Sequence, residues 1–395
     1  MIDPWTQFTE QAISSEVAVY FERTGKRGQR GTAAWSVRPS ERRVLDRQSE
    51  LTDLSARSGR FLDRHPRGGI LGYVGFDAVG LFEPALCRFP VGTPFPLGEL
   101  AFVDRLETRA VPHRRRRALE PRRPPRPVGD SLGKRPFEAG VRRLIREIRD
   151  GEAFQVVLAH RRSWKRPADL LARAGTLRAT ERFSFFYFLR FGDREIVGAS
   201  PESVVEMRGG VGFINPIAGT MPATPRAGRL PLPKDPKELS EHRMLVDLAR
   251  NDLGRVARPG TVRVLQTERR ERYARLEHLV SEVGGRLVEG IGPWELLAAA
   301  FPAGTVSGAP KIRATELLRR EEDSWRGPYG GAVGCLRPGG RADWALAIRT
   351  AFAAGPTLYT AAGAGIVHRS RPAQEYEETL AKLEHLESTL LGDAP

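Results

Sequence analysis

The stretch KDPKELSEHRMLVDLARNDLGRVARPGTVRV, Lys234 to Val264, decides how the rest of the chain is read. Asp235 suits an N-cap, and Pro236 suits the first helical position, where its missing N–H is no loss. Glu238 sits where a capping box places a carboxylate. A helix therefore starts here and gives way to a short strand near Val264. On a 3.6-residue wheel Glu238 and Glu241 fall within the arc of Met244, Leu245, Val246, Leu248 and Leu253, the face that should be buried. Inward carboxylates are costly unless paired, hydrogen-bonded or bound to a metal, so this helix asks for a cation. Glu238 has a second explanation as the capping-box partner; Glu241 has none.

At 395 residues the chain can bury a large core, as two domains or one large one. It has no apolar run of about 18 residues, and MIDPWTQFTEQ lacks a basic region followed by an apolar one. No membrane insertion or export is expected, and the expected location is the cytoplasm. Cys87 and Cys335 lie far apart without metal-ligand spacing and read as buried thiols rather than a disulfide framework or zinc site. The net charge of +15 invites a nucleic-acid reading. However, 56 of the 63 basic residues are arginines spread along the chain, which looks like a coding bias rather than one patch. Such a field would still steer a small dianion inward. The one dense run, VPHRRRRALEPRRPPRPVGD at 111–130, is broken by prolines and self-repelling, and reads as a solvated linker. The expected division is 1–110, an N-terminal region; 111–135, a linker or loop; and 136–395, the region that holds the signature helix.

Upstream of the linker, EVAVYFE reads as a strand, and GGILGYVGFDAVGLFEP at 68–84 as a strand-like Tyr73 to Phe76 followed by an acidic turn. Downstream, Phe137 to Arg149 forms an amphipathic helix, with Val141, Leu144, Ile145 and Ile148 opposite Arg142, Arg143, Arg146 and Arg149. A buried strand through Phe154 to Leu158 follows, its entry marked by the polar Gln155. SFFYFLRFGDREIVGASPESVVEMRGG, 184–210, has the alternation and Gly-Asp turn of a hairpin, and Glu202 at its bend reads locally as a turn carboxylate. PWELLAAAFPAGTVSGAPKIRATELLRRE gives a helix, a glycine-rich turn and a second helix opening at Ala309-Pro310. GTVSGAPK lacks the Gly-Lys-Ser/Thr order of a phosphate loop. RGPYGGAVGCL (326–336), ADWALAIRTAF (342–352) and LYTAAGAGIV (358–367) read as consecutive strands. The last helix opens near Pro372 and sets Glu375, Glu378 and Lys382 along one edge of an apolar face of Tyr376, Leu380, Leu383 and Leu390, a pattern ordinary surface pairing also produces.

DPKELSEHRMLVDLARNDLGRVARPGTV resembles the signature helix of the chorismate-binding enzymes, a family of anthranilate, aminodeoxychorismate, isochorismate and salicylate synthases. PIAGT at Pro216 to Thr220, PAGTVSGAPK and GPYGGAVG extend the resemblance over about Pro136 to Leu391. The resemblance implies an α+β fold: a large two-layer antiparallel β core wrapped by helices, with the active site between the sheets. It implies chorismate as substrate and Mg²⁺ held by Glu238, Glu241, Glu375 and Glu378. It gives Tyr329 and Arg349 to the enolpyruvyl carboxylate, the backbone at Gly363 and Gly365 to a second carboxylate, and Lys382 to a substrate carboxylate nearby. Thr305 stands at a helix start suited to an anion.

By the same resemblance Glu202 is the acid that protonates the departing ring hydroxyl, which requires a carboxyl kept protonated by a dry site. His278, locally just a histidine between leucines, becomes a candidate for assisting hydroxyl loss or pyruvate elimination. Gln155 stands where water-adding members carry a lysine base and ammonia-adding members carry glutamine. Ala218, two residues before Thr220, replaces the nucleophilic lysine usual in aminodeoxychorismate synthases, and Met221 replaces the arginine that commonly follows the threonine. No LLES-type motif is present, so inhibition by tryptophan is not expected. The implied activity is that of anthranilate synthase component I: amination of chorismate, then loss of pyruvate. The alternatives are an aminodeoxychorismate synthase component I, serving folate or an antibiotic precursor, and a 2-amino-2-deoxyisochorismate synthase. Neither cysteine has a glutaminase context, so ammonia would come from a separate glutamine amidotransferase subunit or from solution. A non-catalytic, nucleic-acid-binding protein would have no use for inward carboxylates.

Overall fold

Alternate residues of a strand face opposite sides, and Phe185–Phe191 uses both. Phe185, Tyr187, Leu189 and Phe191 pack into one buried cluster, Phe186 and Phe188 into another. Each fully buried phenylalanine stabilises by roughly 1.5–3 kcal/mol, so a strand sandwiched this way must lie inside. The structure, a computed structural model, describes residues 3–25, 31–87, 90, 92–111, 127–181, 183–222, 236–273, 276–322 and 324–392, without the side chains of 218–222, 236–238, 240 and 270–278.

Among the described residues the strands form two antiparallel sheets of ten. The first runs in order Gly308–Ala309, Gln155–Lys165, Thr357–Ile366, Thr350–Ala354, Arg194–Ser200, Phe185–Phe191, Val17–Arg23, Gly31–Ser36 and Glu107–Val111, with Gly129–Asp130 beside Gln155–Lys165. The second runs Ile217–Pro222, Leu276–Arg286, Val211–Ile214, Ser203–Arg208, Arg341–Leu346, Ala332–Arg337, Gly69–Val74, Gly98–Val103 and Glu41–Leu45, with Arg263–Tyr273 on Leu276–Arg286. Two core clusters draw on strands of both sheets, and a third packs helices against the first sheet alone. The α+β two-layer expectation holds. Strands from residues 17–111 enter both sheets rather than building a layer of their own. Most of the arginine- and proline-rich run, 112–126, lies outside the described residues.

The signature helix is Pro236–Gly254. Its N-cap, Asp235, and the Glu238 side chain lie outside what is described. His242, Leu245, Ala249, Asp252 and Leu253 are its buried positions, and Glu241 is half-buried at their edge. The last helix is Pro372–Leu391, and the amphipathic one is Lys134–Arg149. No helix among the described residues is long and apolar enough to cross a membrane.

Three local expectations need correction. ADWALAIRTAF is not one strand: Arg341–Leu346 belongs to the second sheet and Thr350–Ala354 to the first, with Arg349 at φ 49° in the break. Tyr73 to Phe76 is displaced, since the strand Gly69–Val74 ends first and Phe76–Ala78 is a helical turn. Cys335 is buried, but Cys87, just after the turn Pro84–Leu86, is exposed.

Candidate active site

Two chain segments cross side by side between the sheets. Arg194–Ser200 passes into Ser203–Arg208 through Pro201 and Glu202, and Arg341–Leu346 passes into Thr350–Ala354 through Ala347, Ile348 and Arg349. Their peptides are tied: Leu346 N donates to Glu202 O at 3.0 Å, and Ala199 N donates to Arg349 O at 3.2 Å. Gly330 N reaches Ala347 O, and Ala347 N reaches Gly331 O, both at 2.9 Å, so the turn carrying Tyr329 is stitched to the same crossing.

Glu202 is buried, not the exposed turn carboxylate its local sequence suggests. Thr305 Oγ1, in the helical turn Gly304–Ser307, donates to its Oε1 at 2.9 Å. Burial pushes the carboxyl up from 4.5 to about 8, against the lowering effect of that hydroxyl and of the Arg349 charge. Glu202 is thus an acid that keeps its proton at neutral pH. Arg349 lies with Nη1 3.9 Å from Glu181 Oε1. A left-handed non-glycine residue costs on the order of 1–3 kcal/mol and persists where its surroundings impose it. Tyr329 is buried; its hydroxyl is pushed up to about 12 by desolvation, opposed by the Arg326 charge and a backbone hydrogen bond from Gly363.

A second group lies along the paired strands Gln155–Lys165 and Thr357–Ile366, where Gly363 faces Ala159 and Gly365 faces Val157. Gln155 Nε2 donates to Glu241 Oε1 at 2.5 Å. A Cβ at Gly365 would come within 2.5 Å of Gln155 Nε2 and 3.5 Å of Glu241 Oε1, so glycine is what lets the Gln155 amide lie this close to the strand. Lys382 Nζ donates to Gly363 O at 2.8 Å and pairs with Glu378 at 2.7 Å. Glu375 is buried one turn earlier on that helix, while Glu378 is exposed. The structure therefore brings together Glu202, Thr305, Arg349 and Tyr329 on one side, and Gln155, Glu241, Gly363, Gly365, Glu378 and Lys382 on the other. The side chains of Ala218, Thr220, Glu238 and His278 lie outside those described.

A family profile described as chorismate binding enzyme matches residues 9–388. The chain belongs to that family. A curated relative named anthranilate synthase component 1, from Neisseria meningitidis, is 38% identical over 358 residues, covering 80% of this chain and 73% of its own. The solved anthranilate synthase component I from Streptococcus pneumoniae superposes with a TM-score of 0.78 at 30% identity, over 92% of this chain and 93% of its own. A putative 2,3-dihydroxybenzoate-specific isochorismate synthase from Bacillus anthracis shares the fold, with a TM-score of 0.78 at 21% identity over 98% and 100%. The protein is thus an enzyme acting on chorismate.

In this chorismate-binding enzyme Glu241 is half-buried with Oε1 held by Gln155, and Glu375 is buried; their carboxylate oxygens are the donor type a hard cation takes. No three His, Cys, Asp or Glu side chains converge among the described residues, which exclude that of Glu238. Sequence reasoning missed one pair near the acid. Asp252, on the signature helix, lines the same crevice as Glu202 and Thr305, and accepts a 2.9 Å bond from Nζ of the largely covered Lys311. Burial raises the Asp252 carboxyl and lowers the Lys311 ammonium, and each offsets the other's cost. The signal was there in part, since Asp252 lies seven positions after Leu245 on the buried arc.

Proposed function

We propose that the enzyme adds ammonia to chorismate as the ring hydroxyl leaves, and then eliminates pyruvate to give anthranilate, the reaction of anthranilate synthase component I. The observation that carries this reading is Glu202, buried beside Thr305 with its carboxyl raised to about 8, a protonated acid for the leaving hydroxyl. Gln155 supplies the second argument. Its amide cannot deprotonate water, whereas ammonia is a nucleophile that needs no base, so a site with Gln155 beside Glu241 favours amination over hydration. Ala218 offers no amine for a covalent route to aminodeoxychorismate.

Arg349 and Tyr329 would hold the enolpyruvyl carboxylate, the guanidinium through its planar fork. The Gly363 and Gly365 backbone, with Lys382, would receive the second carboxylate. Glu238, Glu241, Glu375 and Glu378 would hold Mg²⁺, which supplies a positive charge to anchor and polarise a substrate carboxylate. A glutamine amidotransferase subunit is the partner expected to deliver ammonia, with free ammonia as the substitute. The test is the purified chain with chorismate, Mg²⁺ and excess ammonium at alkaline pH. Anthranilate and pyruvate in equal amounts are expected. An amino-deoxychorismate isomer without pyruvate would replace this reading with one of the non-eliminating synthases, and isochorismate would overturn the role given to Gln155.

A further inference from the structure

The acidic turn at Asp77, far upstream of the candidate site residues, reaches the active site through one buried network of hydrogen bonds and charges. Phe76 N donates to Gly327 O at 2.8 Å, and Gly327 N donates to Asp77 Oδ2 at 2.6 Å, so both peptide groups of Gly327 are held by two consecutive residues. Arg326 N adds a longer 3.5 Å contact to Asp77 Oδ1. Gly75 must be small here, because its Cβ would come within 2.7 Å of Gly327 O. Gly327 has φ 59° and opens the turn Gly327-Pro328-Tyr329. Burial pushes the Asp77 carboxyl up to about 6, while the Gly327 and Arg326 peptides and the Arg319 and Arg326 charges hold it below neutrality. Asp77 is therefore an ionised, fully engaged acceptor at neutral pH.

Arg326 spreads the same network to the rest of the site. Its guanidinium lies over the Phe76 ring at 4.3 Å and is buried. It donates to Val306 O at 2.6 Å, beside Thr305, and to Val157 O at 2.8 Å, opposite Gly365. Both oxygens of Glu322 accept from it, and Glu322 Oε1 also accepts Ala159 N at 2.7 Å, opposite Gly363. The backbones flanking Thr305, Tyr329, Gly363 and Gly365 are thus fastened to one hub. We infer that Asp77 and Arg326 are positioning residues that set the turn of Tyr329 relative to the Gly363–Gly365 strand, so that the N-terminal region determines how tightly the substrate's carboxylates are held. This inference takes its substrate from the chorismate reading above; its geometry does not.

The test compares Asp77→Ala and Asp77→Asn in the full chain by two readouts. In hydrogen exchange, Asp77→Ala should speed exchange of the Gly327 amide at least tenfold and leave the strand Phe185–Phe191 unchanged, and Asp77→Asn, which keeps an acceptor oxygen, should change it less than threefold. In turnover with ammonium, Asp77→Ala should raise KM for chorismate tenfold or more with kcat within threefold, and Asp77→Asn should restore KM. Unchanged protection at Gly327, acceleration spread evenly over the protein, or a fall in kcat with KM unmoved would each overturn the inference. If Asp77→Ala does not fold, Asp77→Glu, which keeps the charge but displaces it by one methylene, must show the same local acceleration or the inference fails. A parent chain that does not consume chorismate would sink the proposed amination, and the exchange comparison would still decide the role of Asp77.

Discussion

The two sides of the site are built differently. Glu202, Arg349 and Tyr329 sit where paired chain segments cross between the sheets, with four peptide hydrogen bonds fixing their spacing. Glu241, Glu375, Glu378 and Lys382 ride on two helices, and two of the four reach the surface or its edge: Lys382 and Glu378 make a pair whose side chains are 34% and 47% exposed. The Glu202 side is pre-set by backbone. The carboxylate side is set by side chains on helices, and under the proposed function these would gather around a cation. Under the proposed function, a fixed crossing would suit a proton donor, whose pKa depends on staying dry, and helix-borne carboxylates would suit a hard ion, which takes oxygen ligands in flexible numbers.

That contrast orders the mutational effects. Glu202→Gln should lower kcat by about 10²–10⁴ with KM little changed, because it removes only the acid; steady-state kinetics with saturating ammonium measures it. The same residue sets the pH response. Turnover needs the protonated form, so kcat should fall as pH rises through about 8. The sign for stability follows: a carboxyl raised above its unfolded value favours the folded state fully below about 4.5, and this contribution is lost as pH rises through 8. Glu202→Gln should therefore melt higher than the parent at alkaline pH, and identical melting curves would remove the buried-acid account.

Glu241→Gln should come next, with activity lost at limiting Mg²⁺ and the Mg²⁺ requirement shifted upward while the melting curve stays near the parent's. Near-parental turnover at Mg²⁺ that just saturates the parent would take Glu241 out of the proposed cation site. Arg349→Lys should raise KM for chorismate by about tenfold, since a point charge replaces a bidentate fork. Lys382→Met should have the smallest effect, about threefold on KM, because a part-exposed ion pair contributes only about 0–1 kcal/mol. A larger loss for Lys382→Met than for Arg349→Lys would reverse the contrast between the two sides.

The helices and most strands were legible because their periods are local: Val141, Leu144 and Ile148 mark a helix whatever surrounds them. Glu241 announced itself by lying on an apolar arc, and Gln155 by interrupting an apolar strand. The break at Arg349 was not legible, because nothing in ALAIRTAF resembles a turn; the left-handed arginine is imposed by the two sheets that pull the chain apart. The burial of Glu202 was hidden for the same reason, since a Ser-Pro-Glu bend reads as surface until a second crossing covers it. Asp77 and Arg326 meet across 249 positions of sequence, and no periodicity reports a contact of that span.

The strands contributed before residue 112 also bear on how the protein is made. Val17–Arg23 covers Phe185–Phe191 along its whole length, and Ile70–Val74 covers Ala332–Leu336. Without the early strands both sheets would end in long apolar edges with unpaired N–H and C=O groups, the kind of surface on which chains stick to one another. A trimmed version keeping only the later, catalytically legible residues would be expected to collect in insoluble deposits, whatever its active-site residues, unless a new edge were designed to replace the missing one.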